Sequence, residues 1–244
     1  MSKDVIIACD FDNAEETFDF LKLFGDIKPF IKIGMQLFYS EGPDIVMDLK
    51  SKGYKVFLDL KLHDIPNTVK RSMNVLGRLG ADIYNVHAAG TNSMMKAALE
   101  GLQEGAASVR KTSPLLIAVT QLTSTSDEVM QKELMIRSSM KDVIKSYALN
   151  AKSAGLGGVV CSPLEAPMIH EVCGNDFKTV TPGIRFAGDD AEDQRRITTP
   201  YDAGILGSDY IVVGRSVTAA HDPVDAYRIC LKEFRGTDNR TEEL

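Results

Sequence analysis

No apolar run in the chain approaches the roughly 20 residues a membrane-spanning helix needs. The opening MSKDVIIACD holds an apolar stretch too short for a secretory signal and closed by an acid, so export is not expected. Cysteine is scarce. Cys9, Cys161, Cys173 and Cys230 form no C-x-x-C pair and no Cys/His cluster with zinc spacing, which argues against a disulfide framework or zinc staple. Cys9 and Cys161 close apolar runs and read as buried thiols in a reducing, cytoplasmic compartment. Lys and Arg never gather into a face-length run, and the formal net charge is -6. A nucleic-acid partner is disfavoured, because neutralising a phosphate backbone takes such a face. A small anion needs only two or three placed cations. Also missing is a G-x-G-x-x-G opening a helix after the first strand, which weakens a dinucleotide-binding reading. Low-complexity segments are absent.

What is present is an alternation. Short apolar runs, rich in β-branched residues, recur at Val5–Cys9, Phe30–Ile33, Lys55–Leu60, Ile83–His87, Leu115–Thr120, Gly158–Cys161, Thr179–Pro182 and Tyr210–Gly214. Near-continuous runs of this length suit parallel strands buried on both faces. Amphipathic segments lie between them. Asn13 with Glu16 predicts a helix start and Gly25 a stop; Asp222-Pro223 starts the last helix, and a helix is expected over Met140–Ala154. Eight βα units in 244 residues, with no break in composition, predict one closed (β/α)8 TIM barrel. The barrel is expected to span residues 1–235, with 236–244 a polar, frayed tail. With 44% hydrophobic and 25% charged residues, a chain of this size can bury its core without covalent staples.

Barrel enzymes place their chemistry at the C-terminal ends of the strands. Asp10, Lys32, Asp59, Lys61, His87, Thr120, Arg185 and Arg215 stand in or after those ends. The densest signal is Asp59-Leu60-Lys61-Leu62-His63-Asp64-Ile65-Pro66. Residues two apart on a strand share a face, so Asp59 and Lys61 should point together. Lys32 can approach from a neighbouring strand about 4.8 Å away. Three readings stay open: a salt-bridge network closing the barrel mouth, a charged catalytic pocket, or a metal site using Asp59 and Asp64. The lysines compete with a cation in the last.

A second signal is phosphate-shaped. Pro182-Gly183-Ile184-Arg185 follows strand seven and Val213-Gly214-Arg215-Ser216 follows strand eight, the loops that commonly hold phosphate in a barrel. The alternative is a glycine turn with two solvated arginines. Between these blocks, Phe186 to Pro200 has the length of a lid, with Gln194 in it, or is a surface loop without a role. His87 reads as a core or orienting histidine, His170 and His221 as surface or helix-end residues, and Met94-Met95 as packing.

Taken in order, these blocks resemble the orotidine 5′-monophosphate decarboxylases of the compact bacterial type. The resemblance rests on Asp59 to Thr68, Ile31-Lys32-Ile33-Gly34-Met35 and Asn85-Val86-His87-Ala88-Ala89-Gly90. It extends through Val119 to Ser124, Thr181 to Arg185 and Val212 to Ser216, and so covers nearly the whole chain. It implies decarboxylation of a pyrimidine nucleotide in de novo pyrimidine biosynthesis, without metal or cofactor. Lys32, Asp59, Lys61 and Asp64 would form a charged tetrad with Lys61 as proton donor. Asp10 and Lys32 would hold ribose hydroxyls. Thr123, Ser124 and Pro182 would meet the nucleoside, and Gln194, Gly214 and Arg215 the phosphate, with Arg185 beside it. Asp64, Ile65 and Thr68 would reach into a partner's site, which implies a homodimer. Two alternatives stand beside it: a metal-dependent sugar-phosphate decarboxylase or synthase on the same barrel, and a non-catalytic nucleotide-binding protein.

Overall fold

A computed structural model describes residues 3–186 and 198–236. Eight strands, β1 (Asp4–Ala8), β2 (Phe30–Gly34), β3 (Val56–Leu62), β4 (Ile83–His87), β5 (Leu115–Val119), β6 (Gly158–Val160), β7 (Lys178–Thr181) and β8 (Tyr210–Val213), close into a barrel. Every pairing is parallel, and β8 returns to β1 through Asp4↔Tyr210 to Ile7↔Val213. The structure is a single (β/α)8 barrel. Each expected strand is found, shifted by at most two residues at either end.

Side-chain alternation gives each strand two buried faces. Val5, Ile7, Ile31, Ile33, Val56 and Leu58 face outward beneath the helices. Ile6, Phe30, Phe57, Ile83, Ile117, Val180 and Val212 fill the barrel interior. Fully burying side chains of this kind contributes roughly 1.5–3 kcal/mol each. Two residues further along the inward faces, the apolar layer gives way to Lys32, Asp59 and Asn85, all buried. The apolar floor therefore lifts these polar groups to the C-terminal mouth.

Local signals set the helix ends. The Asn13 side chain accepts from the Glu16 amide to start Ala14–Lys22, and Asp222 accepts from the Val224 and Asp225 amides to start Pro223–Arg235. Gly236 closes the last helix in the left-handed region; the tail expected beyond it lies outside the described residues. Helices Pro66–Gly77 and Thr91–Ser108 pack backbone to backbone. A Cβ added at Gly77, Gly101 or Gly105 would strike the facing helix's backbone. Met94 and Met95 are fully buried in that layer.

At the opposite end of the barrel, Lys178 Nζ lies 2.8 Å from Asp209 Oδ1, and Asp209 Oδ2 accepts from the Thr179 amide. His170 joins this network at 3.5 Å from Asp209; it lies in the last turn of its helix, one of the two placements expected for it, with its side chain largely buried. Its helix, Ala166–Cys173, turns the imidazole toward Thr179 of β7 and toward Gly207 and Asp209, which precede β8.

Candidate active site

The site is a chain of alternating charges. Asp10 follows β1, Lys32 lies in β2, and Asp59 and Lys61 lie in β3. Lys32 Nζ stands 2.8 Å from Asp10 Oδ1 and 3.6 Å from Asp59 Oδ2, while Lys61 Nζ is 2.7 Å from Asp59 Oδ1. Gly34 leaves room for this: a Cβ there would stand 3.0 Å from Asp10 Oδ1 and 3.2 Å from Lys32 Nζ.

Burial opposes charge on these groups, and the neighbours decide the outcome. Burial alone would lower the Lys32 ammonium; Asp10 and Asp59 outweigh it and raise its pKa above the ordinary lysine value. Burial would raise the Asp59 carboxyl. Lys32 and Lys61, with hydrogen bonds from Lys61 and Asn85, hold it below the ordinary carboxylate value instead. Both groups are therefore charged at neutral pH. His87, squeezed by burial and by His63 and Lys61, is held below the ordinary histidine value and is neutral there. The Cys9 thiol, pushed up to about 12 by burial, is inert, and burial raises Cys161 likewise.

Lys61 does not reach Asp59 by strand alternation, as its spacing predicts. The β3–β4 register shifts between Leu58 and Leu62, and Lys61 has φ 52°. A non-glycine residue in that region costs on the order of 1–3 kcal/mol and persists only where its surroundings hold it. What holds it is Asn85, a residue to which the sequence motifs assign no role. Its Oδ1 accepts from the Lys61 amide at 2.8 Å, and its Nδ2 donates to Asp59 Oδ1 at 2.6 Å. The signal available was a carboxamide among Ile83, Tyr84 and Val86, where the strand pattern asks for an apolar side chain.

Lys32, Asp59 and Lys61 line a partly open pocket of about 280 Å³ with Thr123, Ser124, Pro182 and Gln121, over an apolar floor of Phe57, Val160 and Val212. Arg185 and Arg215 wall a second cavity of about 590 Å³, together with Phe186 and Ser216. Gly214 caps the short helix Arg215–Thr218. Asp64 stands apart from the other charges. It is exposed, with its carboxylate accepting from the Ile65 amide, and Ile65 and Thr68 are exposed beside it. Gln194 lies outside the described residues, as does most of the expected lid. Its base is closed by an Ile184↔Thr198 bridge. Among the described residues no three His, Cys, Asp or Glu side chains are grouped to hold a metal ion.

Fold and pocket together define a (β/α)8-barrel enzyme with its charged groups at the C-terminal mouth. The chain belongs to the Orotidine 5'-phosphate decarboxylase / HUMPS family, whose pattern matches residues 3–230. It is 55% identical over 236 residues to the orotidine 5'-phosphate decarboxylase of Bacillus cytotoxicus, covering 97% of this chain and 99% of that one. The decarboxylase of the same name from Bacillus mycoides is 54% identical over the same share. Among solved structures, the orotidine 5'-phosphate decarboxylase of Lactobacillus acidophilus superposes with TM-score 0.85 at 45% identity, over 96% of this chain and 99% of that one. An uncharacterized conserved protein of Geobacillus kaustophilus gives 0.84 at 47%, over 94% and 99%. The family resemblance read from the motifs is thus confirmed.

Proposed function

We propose that the chain decarboxylates orotidine 5′-monophosphate to uridine 5′-monophosphate in pyrimidine biosynthesis, with Lys61 as the proton donor. The observation that carries this reading is the Lys61 ammonium, 2.7 Å from Asp59 in a pocket walled by Thr123, Ser124 and Pro182. Breaking the bond between C6 and the carboxylate releases CO2 and leaves the electron pair in an sp2 orbital at C6, with little ring delocalisation. An ammonium fixed beside C6 stabilises that developing charge and then gives it a proton; solvent restores the lysine. Asp59 anchors the ammonium, and Lys32 keeps Asp59 ionised.

One charged hydrogen bond is worth about 1.5–3 kcal/mol. Enzymes lower barriers by roughly 8–23 kcal/mol, so the ion pair is not sufficient alone. Remote binding supplies the difference: Arg185, Gly214, Arg215 and Gln194 grip the phosphate, Asp10 and Lys32 the ribose, and that grip orders the charges around the base. The exposed Asp64, Ile65 and Thr68 complete the pocket of a second copy, making the enzyme a homodimer.

The reaction runs without metal or cofactor, because Asp10 and Asp59 each already have an ammonium where a cation would sit. A metal-dependent sugar-phosphate reaction would need Lys32 displaced from between Asp10 and Asp59. The test follows the orotate chromophore with purified protein in excess EDTA. Loss of absorbance with formation of uridine 5′-monophosphate is expected. Turnover of a sugar phosphate only after adding Mg2+ would overturn the substrate, and tight nucleotide binding without turnover would overturn catalysis.

A further inference from the structure

We infer that Asn85 is a positioning residue for the proton-donating lysine, clamping the Lys61 backbone and the Asp59 carboxylate with one carboxamide. The inference rests on the proposed decarboxylation and deepens it. Asn85 lies in β4, is 1% exposed and lines none of the pocket, so it acts on substrate only through its partners.

Its orientation is dictated by them. A backbone amide can only donate, so it selects Oδ1; an ionised carboxylate can only accept, so it selects Nδ2. Asp59 Oδ1 thereby receives the Lys61 ammonium and the Asn85 amide together. The Lys61 amide, turned out of the β3 ladder at φ 52°, finds its acceptor on the neighbouring strand. No other side chain of this size offers both an acceptor and a fixed donor. Aspartate lacks the donor and adds a negative charge. Leucine lacks both and leaves the Lys61 amide without a partner.

The clamp therefore fixes where the ammonium sits, while the phosphate and ribose grip is made by other residues. Loss of the clamp should show in kcat and not in ligand affinity. A misplacement near 1 Å can cost on the order of 100-fold in rate.

The test compares the wild type with Asn85→Ala and Asn85→Asp, measuring kcat, KM and the dissociation constant of uridine 5′-monophosphate. For Asn85→Ala, kcat is expected to fall about 100-fold while nucleotide affinity stays within about threefold. For the near-isosteric Asn85→Asp, the introduced carboxylate beside Asp59 raises the pair's titration, so the acid limb of kcat moves to higher pH. Lys32, Lys61, Asp10, His63 and His87 are the other titratable groups around that pair and are unchanged between the variants. Near-native kcat in Asn85→Ala would overturn the inference, as would parallel loss of rate and affinity, which means collapse of the pocket. If Asn85→Ala does not fold, an unmoved acid limb in Asn85→Asp overturns it as well. A wild type that does not turn over orotidine 5′-monophosphate would instead sink the underlying reading.

Discussion

The Lys61 ammonium lies 2.7 Å from Asp59 Oδ1, although the strand that carries both loses its register between Leu58 and Leu62. The ion pair is thus held at a strained turn of backbone, and the chemistry proposed for Lys61 depends on that placement. Removing the side chain gives the most direct prediction. Lys61→Ala should nearly abolish turnover while uridine 5′-monophosphate affinity stays within about tenfold, because the grip on phosphate and ribose lies elsewhere. Kinetics and calorimetry on the same preparation check it; near-native turnover would exclude Lys61 as the proton donor.

Three groups at the barrel mouth contribute to how stability should depend on pH. Asp59 titrates below the ordinary 3.8, so its stabilising contribution is present above that value and lost as pH falls through the lower folded one. Lys32 titrates above the ordinary 10.5, so its contribution is present below that value and lost as pH rises through the higher folded one. His87 is held below 6.5, so the unfolded chain gains its proton first and stability declines as pH drops through that value. Urea midpoints should therefore show a shallow decline below neutrality and a steep one in strong acid. In His87→Gln the shallow step should vanish; if it persists, another group carries it.

Arg215 is expected to grip the phosphate. Arg215→Ala should raise KM on the order of 10- to 100-fold, the worth of a charge-assisted hydrogen bond. Added phosphite should restore part of the activity toward the unphosphorylated nucleoside. Equal activity of the wild type on nucleoside and nucleotide would refute the assignment.

Ile65 is 66% exposed between Asp64 and Thr68 at the barrel mouth. In a homodimer with shared sites, Ile65→Asp should weaken association by about tenfold or more. Activity should then fall on dilution, with sedimentation velocity showing monomer at concentrations where the wild type is dimeric. An unchanged sedimentation profile would place the interface elsewhere.

Local patterning along the chain specifies the barrel and much of its charge layout. Eight β-branched runs announce the strands, because a strand buried on both faces must be apolar nearly throughout. Lys32 and Asp59 follow Phe30 and Phe57 by two residues, so the period of the strand alone turns them inward. Backbone closure decided the rest. Asp59 and Lys61 share a face on paper, yet they meet through a register shift and a left-handed residue that no local pattern encodes. Asn85 acquires its meaning only when β4 lies beside β3, since its two partners are 24 and 26 positions away. Asp64 falls in the same motif as Asp59 and Lys61, but the chain turns it outward after β3. Side-chain periodicity is a local property readable along the chain; hydrogen bonds that hold strained backbone are made between strands, and only the closed barrel brings their partners together.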